Sequence, residues 1–171
     1  MGERLTKEDV KKIQDEINYR KLEVRPKALE DVKIARAQGD LSENFEYYAA
    51  KKFNRENNSR IDYLERLLKN AEIIEVEVDD SVNINNTIKV AFVEEGVDEK
   101  EWEVDSYKLV TSIRTDSLKN KVSIESPIGK ALKGKNIGEI VTVFLENGRS
   151  YDLKILEIIK EDIGEDDIMQ F

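Results

Sequence analysis

The chain has 171 residues, 38% of them charged and 39% apolar, with a net charge of −9, so long solvated helices are expected beside a modest core, because charges are almost never buried unless paired. It contains neither cysteine nor histidine, which excludes disulfides, thiolate or imidazole metal sites, a cysteine nucleophile, a serine triad and histidine acid–base chemistry. Any metal chemistry must run through carboxylates, which suit hard ions such as Mg²⁺. No apolar run approaches the roughly 20 residues needed to span a bilayer, and the N-terminus carries no charged-then-apolar signal. A cytosolic protein is the expectation. The charge is unevenly placed: residues 1–75 hold 16 basic and 16 acidic side chains, whereas residues 76–171 hold 12 and 21. An acidic second half argues against a nucleic-acid-binding domain there, since phosphate contacts need clustered Lys and Arg.

From Thr6 to about Ala37, apolar residues recur at three- and four-residue steps (Val10, Ile13, Ile17, Val24, Ala28, Val32, Ala35), the spacing of one helix face. Thr6 reads as its N-cap, with Glu8 and Asp9 in the first turn where the dipole favours them. Gln38-Gly39-Asp40-Leu41-Ser42 then supplies a glycine stop and small polar residues. A second run follows over about residues 43–71, its seam read as Tyr48, Ala49, Phe53, Ile61, Leu64, Leu68 and Ala71. Two long helices joined by a short loop are antiparallel neighbours. Each arm of about 30 residues is about 45 Å long. Pro26 interrupts the first arm by removing a hydrogen bond and bending the axis. Its antiparallel partner is the polar stretch Asn54–Ser59, so a kinked, loosened and hydrated middle is expected.

After about Glu75 the period changes. Residues 73–78, 87–93, 101–104, 107–113, 122–124, 140–145 and 151–159 alternate or run β-branched, with turn signals between them, of which Asn147-Gly148 is the strongest. Ser126-Pro127 opens a short helix that closes at Gly134. Phe92, Trp102, Tyr107 and Phe144 read as core. The fold class is α+β: residues 1–75 form an antiparallel helical hairpin, and residues 76–171 form a small, mostly antiparallel sheet with one helix and an acidic tail.

Gly39-Asp40-Leu41-Ser42-Glu43-Asn44 places two carboxylates, three residues apart, at the end of a long rod. One reading is helix punctuation, with Asp40 or Ser42 as the cap. The other is a carboxylate pair open at the tip, able to share a divalent cation whose coordination shell a partner completes. Arg36, Lys51, Lys52 and Arg55 flank this loop. They read either as a solvated face carrying i,i+4 pairs or as contacts to a nucleic-acid backbone. Tyr47, Tyr48 and Phe53 read as seam packing rather than base-stacking platforms.

Ala35–Lys51 closely resembles the hairpin signature of the GreA/GreB bacterial transcript-cleavage factors. Val122–Lys135 resembles a second segment of that family, and Arg25-Pro26 sits where the family has Arg-Pro. The resemblance implies a coiled-coil hairpin and a C-terminal domain with an FKBP-like fold. It implies a monomer that binds bacterial RNA polymerase at the rim of its secondary channel, with no membrane partner. The tip would reach the active centre of a backtracked complex, and the polymerase would then hydrolyse its own transcript. By the same resemblance, Asp40 and Glu43 help hold a Mg²⁺ shared with the polymerase, with no cofactor bound by the factor alone. Arg36, Lys51, Lys52 and Arg55 would face the nascent RNA 3′ end, and Ile124, Ser126 and Pro127 would dock on the rim. The chain departs from the family at Thr111–Ser117, in the acidic stretch Glu94–Glu103 and in its Asp-rich tail. These departures bear on affinity and partner choice more than on chemistry. Two alternatives stay open: a non-cleaving homologue that inhibits the polymerase from the same channel, and a coiled-coil adaptor or chaperone.

Overall fold

The computed structural model describes residues 2–40, 44–160 and 168–169. The chain divides into two compact units, one built mainly on Asp9–Glu72 and the other on residues from Ile73 onward together with Arg4–Glu8. No helix among the described residues is long and apolar enough to cross a membrane.

The first unit is a helical hairpin. Its first arm runs as α1 (Lys7–Tyr19), a π-helical turn over Arg20–Val24, and α2 (Arg25–Arg36); the second is α3 (Phe45–Asn70). Ile13, Ile17, Ala28 and Ala35 are buried on the first arm, as their spacing predicts. On the second arm the expected seam is correct near the base, at Ile61 and Leu64, and one residue out of phase near the tip. There Tyr47 is buried, whereas Tyr48 and Phe53 are about half exposed. The physical reason is that the seam does not lapse at the polar stretch. It continues through the part-buried Asn54 and the buried Asn57, so the heptad spacing carries on from Ile61 to Tyr47 without a slip.

Pro26 does not break the first arm. The five-residue π turn immediately before it widens the helix, and the Arg25 N–H donates to Arg20 O across that turn, so Pro26 enters at the start of α2, where its missing N–H costs least. Direct polar contacts join the two arms at this level. Arg20 donates to Asn57 Oδ1 at 3.0 Å, Asn57 Nδ2 donates to Arg20 O at 3.4 Å, and Arg25 donates to Asn58 Oδ1 at 3.1 Å. Glu16 accepts from Arg20 at 2.8 Å and from Arg60 at 2.9 and 3.3 Å.

Burial pushes the Glu16 carboxyl up, but hydrogen bonds and charge from Arg60 and Arg20 outweigh it and hold the pKa below the ordinary value. The folded state therefore gains stability from Glu16 above the unfolded pKa and loses it as pH falls through the lower folded value. Glu16→Gln is expected to destabilise the hairpin by about 2 kcal/mol at neutral pH. In urea titrations its deficit against wild type should shrink progressively below pH 4.5; a deficit constant down to pH 3 would refute the linkage.

The second unit is a five-stranded sheet in the order β5-β4-β3-β7-β6, built from β3 (Thr87–Phe92), β4 (Val104–Val110), β5 (Lys121–Ser123), β6 (Ile140–Phe144) and β7 (Ser150–Ile159), with α4 (Pro127–Leu132) between β5 and β6. A separate two-stranded ribbon is made by β1 (Arg4–Leu5) and β2 (Glu72–Ile73), the only strand formed from the expected 73–78 run. Alternation places Ile88 and Val90 of β3, and Leu153 and Ile155 of β7, in one core with Leu109, Leu132 and Val143. Three pairings are antiparallel, but β4 and β5 run parallel, Lys108 opposite Lys121. The sheet is therefore mixed. Between β4 and β5 the chain doubles back and turns again to resume its direction, through 3₁₀ turns at Ser112–Arg114 and Ser117–Lys119 and a left-handed Asn120, φ 52°. The Asn147-Gly148 hairpin forms as expected. Gly148 N–H donates to Leu145 O at 3.1 Å and only Gly148 has positive φ, which makes it a type I turn with a bulge rather than the two-residue form. Residues 101–104 form no strand of their own; Glu99–Glu101 is a 3₁₀ turn and Val104 begins β4.

Of the four aromatics assigned to the core, Phe92 and Tyr107 pack against it. Trp102 donates its indole N–H to Glu94 O and Val97 O at 3.2 Å. Phe144 is 73% exposed, because it lies on the outward face of the edge strand β6. The acidic segment 161–167 lies outside the described residues. Beyond it, Met169 N–H donates to Ile113 O at 2.7 Å.

Candidate functional site

At the hairpin tip, α2 ends at Arg36 with Ala37 as its C-cap, and Gly39 takes φ 124°. Ser42, one of the expected caps, lies outside the described residues, and the N-cap of α3 is not Asp40 but Asn44, whose Oδ1 accepts from Tyr47 N at 2.9 Å. The same side chain donates from Nδ2 to Ala35 O at 2.7 Å. One asparagine thus satisfies an orphan amide of α3 and a terminal carbonyl of α2, tying the arms together. Asp40 is exposed. Glu43 falls outside the described residues. Among the described residues no three metal-ligating side chains converge.

The structure brings two of the four flanking cations together. Arg36, in the last turn of α2, and Lys51, in the second turn of α3, approach the ring of Tyr47, with the Arg36 guanidinium carbon 5.7 Å and the Lys51 Nζ 5.4 Å from its centroid. Tyr47 is 8% exposed and meets the edge of Tyr48 at 5.7 Å. A hydrogen bond from Arg36 lowers its phenol pKa, the positive charge of Lys51 adds to this, and burial opposes it. Lys52 and Arg55 lie further along α3 and line a shallow groove with Ser59, Arg60 and Tyr63. Lys52 there faces Glu56 at 3.8 Å, an i,i+4 pair on a solvated face.

In the sheet unit, Ser126 and Pro127 open α4 as expected. Ser126 Oγ accepts from Gly129 N at 3.1 Å and donates to Ser123 O at 2.6 Å. Ser123 Oγ in turn lies 2.7 Å from Ser112 Oγ. Pro127 is exposed, whereas Ile124 is 3% exposed and belongs to the sheet core. Ile124 thus fixes the level at which the Ser-Pro start is presented and is not itself surface. Gly129 is required by close approach: a Cβ there would lie 1.9 Å from Ser123 O. Pro127 and Ala131 form one wall of a groove of about 520 Å³; Ile140 and Phe144 of β6 form the other, with Lys130, Lys135 and Glu139 at its rim.

Sequence reasoning missed Asn44 and Arg114, and it read Tyr47 as seam packing, which its burial bears out, without its contacts to Arg36 and Lys51. Asn44 and Tyr47 stood in plain view within the tip motif, but their roles depend on the first arm. Arg114, in the segment that departs from the family pattern, is only 2% exposed and donates to Asn85 Oδ1 at 2.8 Å and to Thr111 Oγ1 at 3.3 Å. Nothing in its local sequence signals a buried guanidinium.

Two family models match the chain in tandem: the N-terminal domain of transcription elongation factors over residues 3–73 and the GreA/GreB C-terminal domain over residues 77–160. The chain is 45% identical over 158 residues to transcription elongation factor GreA of Thermoanaerobacter pseudethanolicus, covering 91% of this chain and 96% of that one. It is 43% identical over 158 residues to GreA of Lachnoclostridium phytofermentans, covering 91% and 94% respectively. Among solved structures it is similar to the GreA factor homolog 1 (Gfh1) protein of Thermus thermophilus, at 21% identity and a TM-score of 0.43, covering 94% of this chain and 100% of that one. With both family models matched in order and this identity sustained along the chain, it belongs to the GreA/GreB family of transcription elongation factors.

Proposed function

We propose that this protein is a cytoplasmic, monomeric accessory factor that enters the secondary channel of bacterial RNA polymerase and stimulates the polymerase's own Mg²⁺-dependent cleavage of backtracked RNA. The observation that carries this reading is the division of labour at the tip. Asn44 caps α3 and ties it to α2, so the N-cap of α3 does not fall to the exposed Asp40. With Glu43, three residues on, Asp40 offers part of a hard-ion shell, which suits an ion held jointly with a partner. A shared Mg²⁺ would supply an activated water and stabilise the leaving oxygen. The chain's own contribution would be to carry Asp40 and Glu43 on the loop that leads into the 26-residue α3. Arg36, Lys51, Lys52 and Arg55 would attract the RNA 3′ end. The exposed Pro127, set by the Ser126 cap over the buried Ile124, would dock on the rim.

Stalled, backtracked complexes incubated in Mg²⁺ test this directly. Added protein should release a short 3′ RNA fragment and restart elongation, while the protein incubated with RNA alone should cleave nothing. Unaccelerated cleavage despite polymerase binding would favour an inhibitory homologue, and no binding to core polymerase would overturn the reading altogether.

A further inference from the structure

We propose that Tyr47 is a positioning residue whose phenol gathers Arg36 from one arm and Lys51 from the other into a single cation pair aimed at the phosphate of the RNA 3′ end. The inference deepens the polymerase reading above and rests on it.

Both cations are exposed, long side chains, and each gives up rotamer freedom when ordered. They also repel each other. Something must draw them together before an RNA phosphate arrives, or their positive charge is spread over many geometries. Tyr47 is placed to do so. It occupies a seam position where leucine would pack as well, yet its ring lies within cation–π distance of both charges. Its placement is itself fixed: Asn44 holds the Tyr47 backbone amide and, through Ala35 O, the last turn of α2 that carries Arg36. The ring of Tyr48 supports it from the side. The lowered phenol pKa agrees with an oxygen that faces the two cations, with Arg36 the larger influence. The pair thus spans both arms at the end of the hairpin, close in sequence to the tip carboxylates but chemically opposite to them. One set would hold the metal, the other the phosphate.

The test compares wild type with Tyr47→Phe and Tyr47→Leu on stalled complexes, after circular dichroism confirms intact helices. Both variants should raise the half-saturating concentration of the factor by about tenfold or more, as expected for losing a charge-assisted hydrogen bond, with the maximal cleavage rate preserved. Their dependence on salt should be shallower by about 0.7 for each phosphate no longer neutralised. In the free protein, the ultraviolet titration of tyrosinate should show one group ionising before the rest; Tyr47→Phe should remove that step and Arg36→Gln should raise it. Wild-type half-saturation and salt dependence in Tyr47→Phe would show that the hydroxyl does not gather the two cations, and would overturn the proposal. An early titration step untouched by Arg36→Gln would overturn it as well. Wild-type protein that fails to stimulate cleavage overturns the polymerase reading and this inference together, whereas stimulation by wild type that Tyr47→Phe matches overturns this inference alone.

Discussion

Replacing Asp40 by Asn and Glu43 by Gln in one protein is expected to suppress stimulated transcript cleavage while leaving folding and polymerase binding near wild type. The substitutions keep side-chain shape and remove both negative charges from the proposed metal shell. Folding should change by less than about 1 kcal/mol, the usual worth of exposed charges, because the helix cap belongs to Asn44 and not to Asp40. Cleavage should fall by at least the roughly 10- to 100-fold typical of losing a group that orients a metal. Raising Mg²⁺ or substituting Mn²⁺ should restore part of the rate, by filling a weakened site through mass action. The signature opposes that of the Tyr47 variants, since here the maximal rate falls while half-saturation holds. A double variant that stimulates like wild type would reduce the tip acids to solvated loop residues.

A stability loss as large as that of Glu16→Gln is expected at Gly129→Ala, in the other unit. Gly129 sits in the first turn of α4 with ordinary helical backbone, so alanine gains about 1 kcal/mol of helix propensity there. Against this, its Cβ would lie 1.9 Å from Ser123 O and 2.9 Å from the Ser123 carbonyl carbon. Backbone cannot yield as a flexible side chain does, and such overpacking costs about 3 kcal/mol. The overlap wins by about 2 kcal/mol, which for a sheet unit of this size lowers the melting temperature by about 10 °C. Because Ser123 O also receives the Ser126 hydroxyl, the shift should disturb the Ser-Pro start and weaken polymerase binding more than Ser126→Ala does. A melting temperature within about 2 °C of wild type would show that β5 and α4 separate easily.

Much of this molecule is legible from local chemistry. The three- and four-residue recurrence of Ile13, Ile17, Ala28 and Ala35 identifies the buried face of the first arm, because a single helix exposes only one stripe to its neighbour. Ser126-Pro127 and Asn147-Gly148 announce a helix start and a hairpin through backbone preferences that need no distant partner. The tip motif, with its match to a known family, carries the candidate site on residues 40–44 and the functional class with it.

The rest was decided by contacts between segments remote in sequence. Which residue faces the opposite arm at the tip depends on whether the seam survives the polar stretch, and Asn57 keeps it in phase only by bonding Arg20, 37 positions away. Pro26 is accommodated because the preceding turn widens to a π-helix, which no local signal in the sequence announces. The parallel β4–β5 pair is invisible to alternation, which reports the face of a strand and never its direction. Asn44 could be seen as a capping residue type, but its choice over Asp40 follows from a carbonyl on α2 within its reach. By itself the sequence determined the hairpin, the strand-rich second unit and the family; tertiary structure decided the phase of the seam, the direction of one strand and the gathering of Arg36 and Lys51 on Tyr47, because each requires two chain segments to meet before the energy that selects it exists.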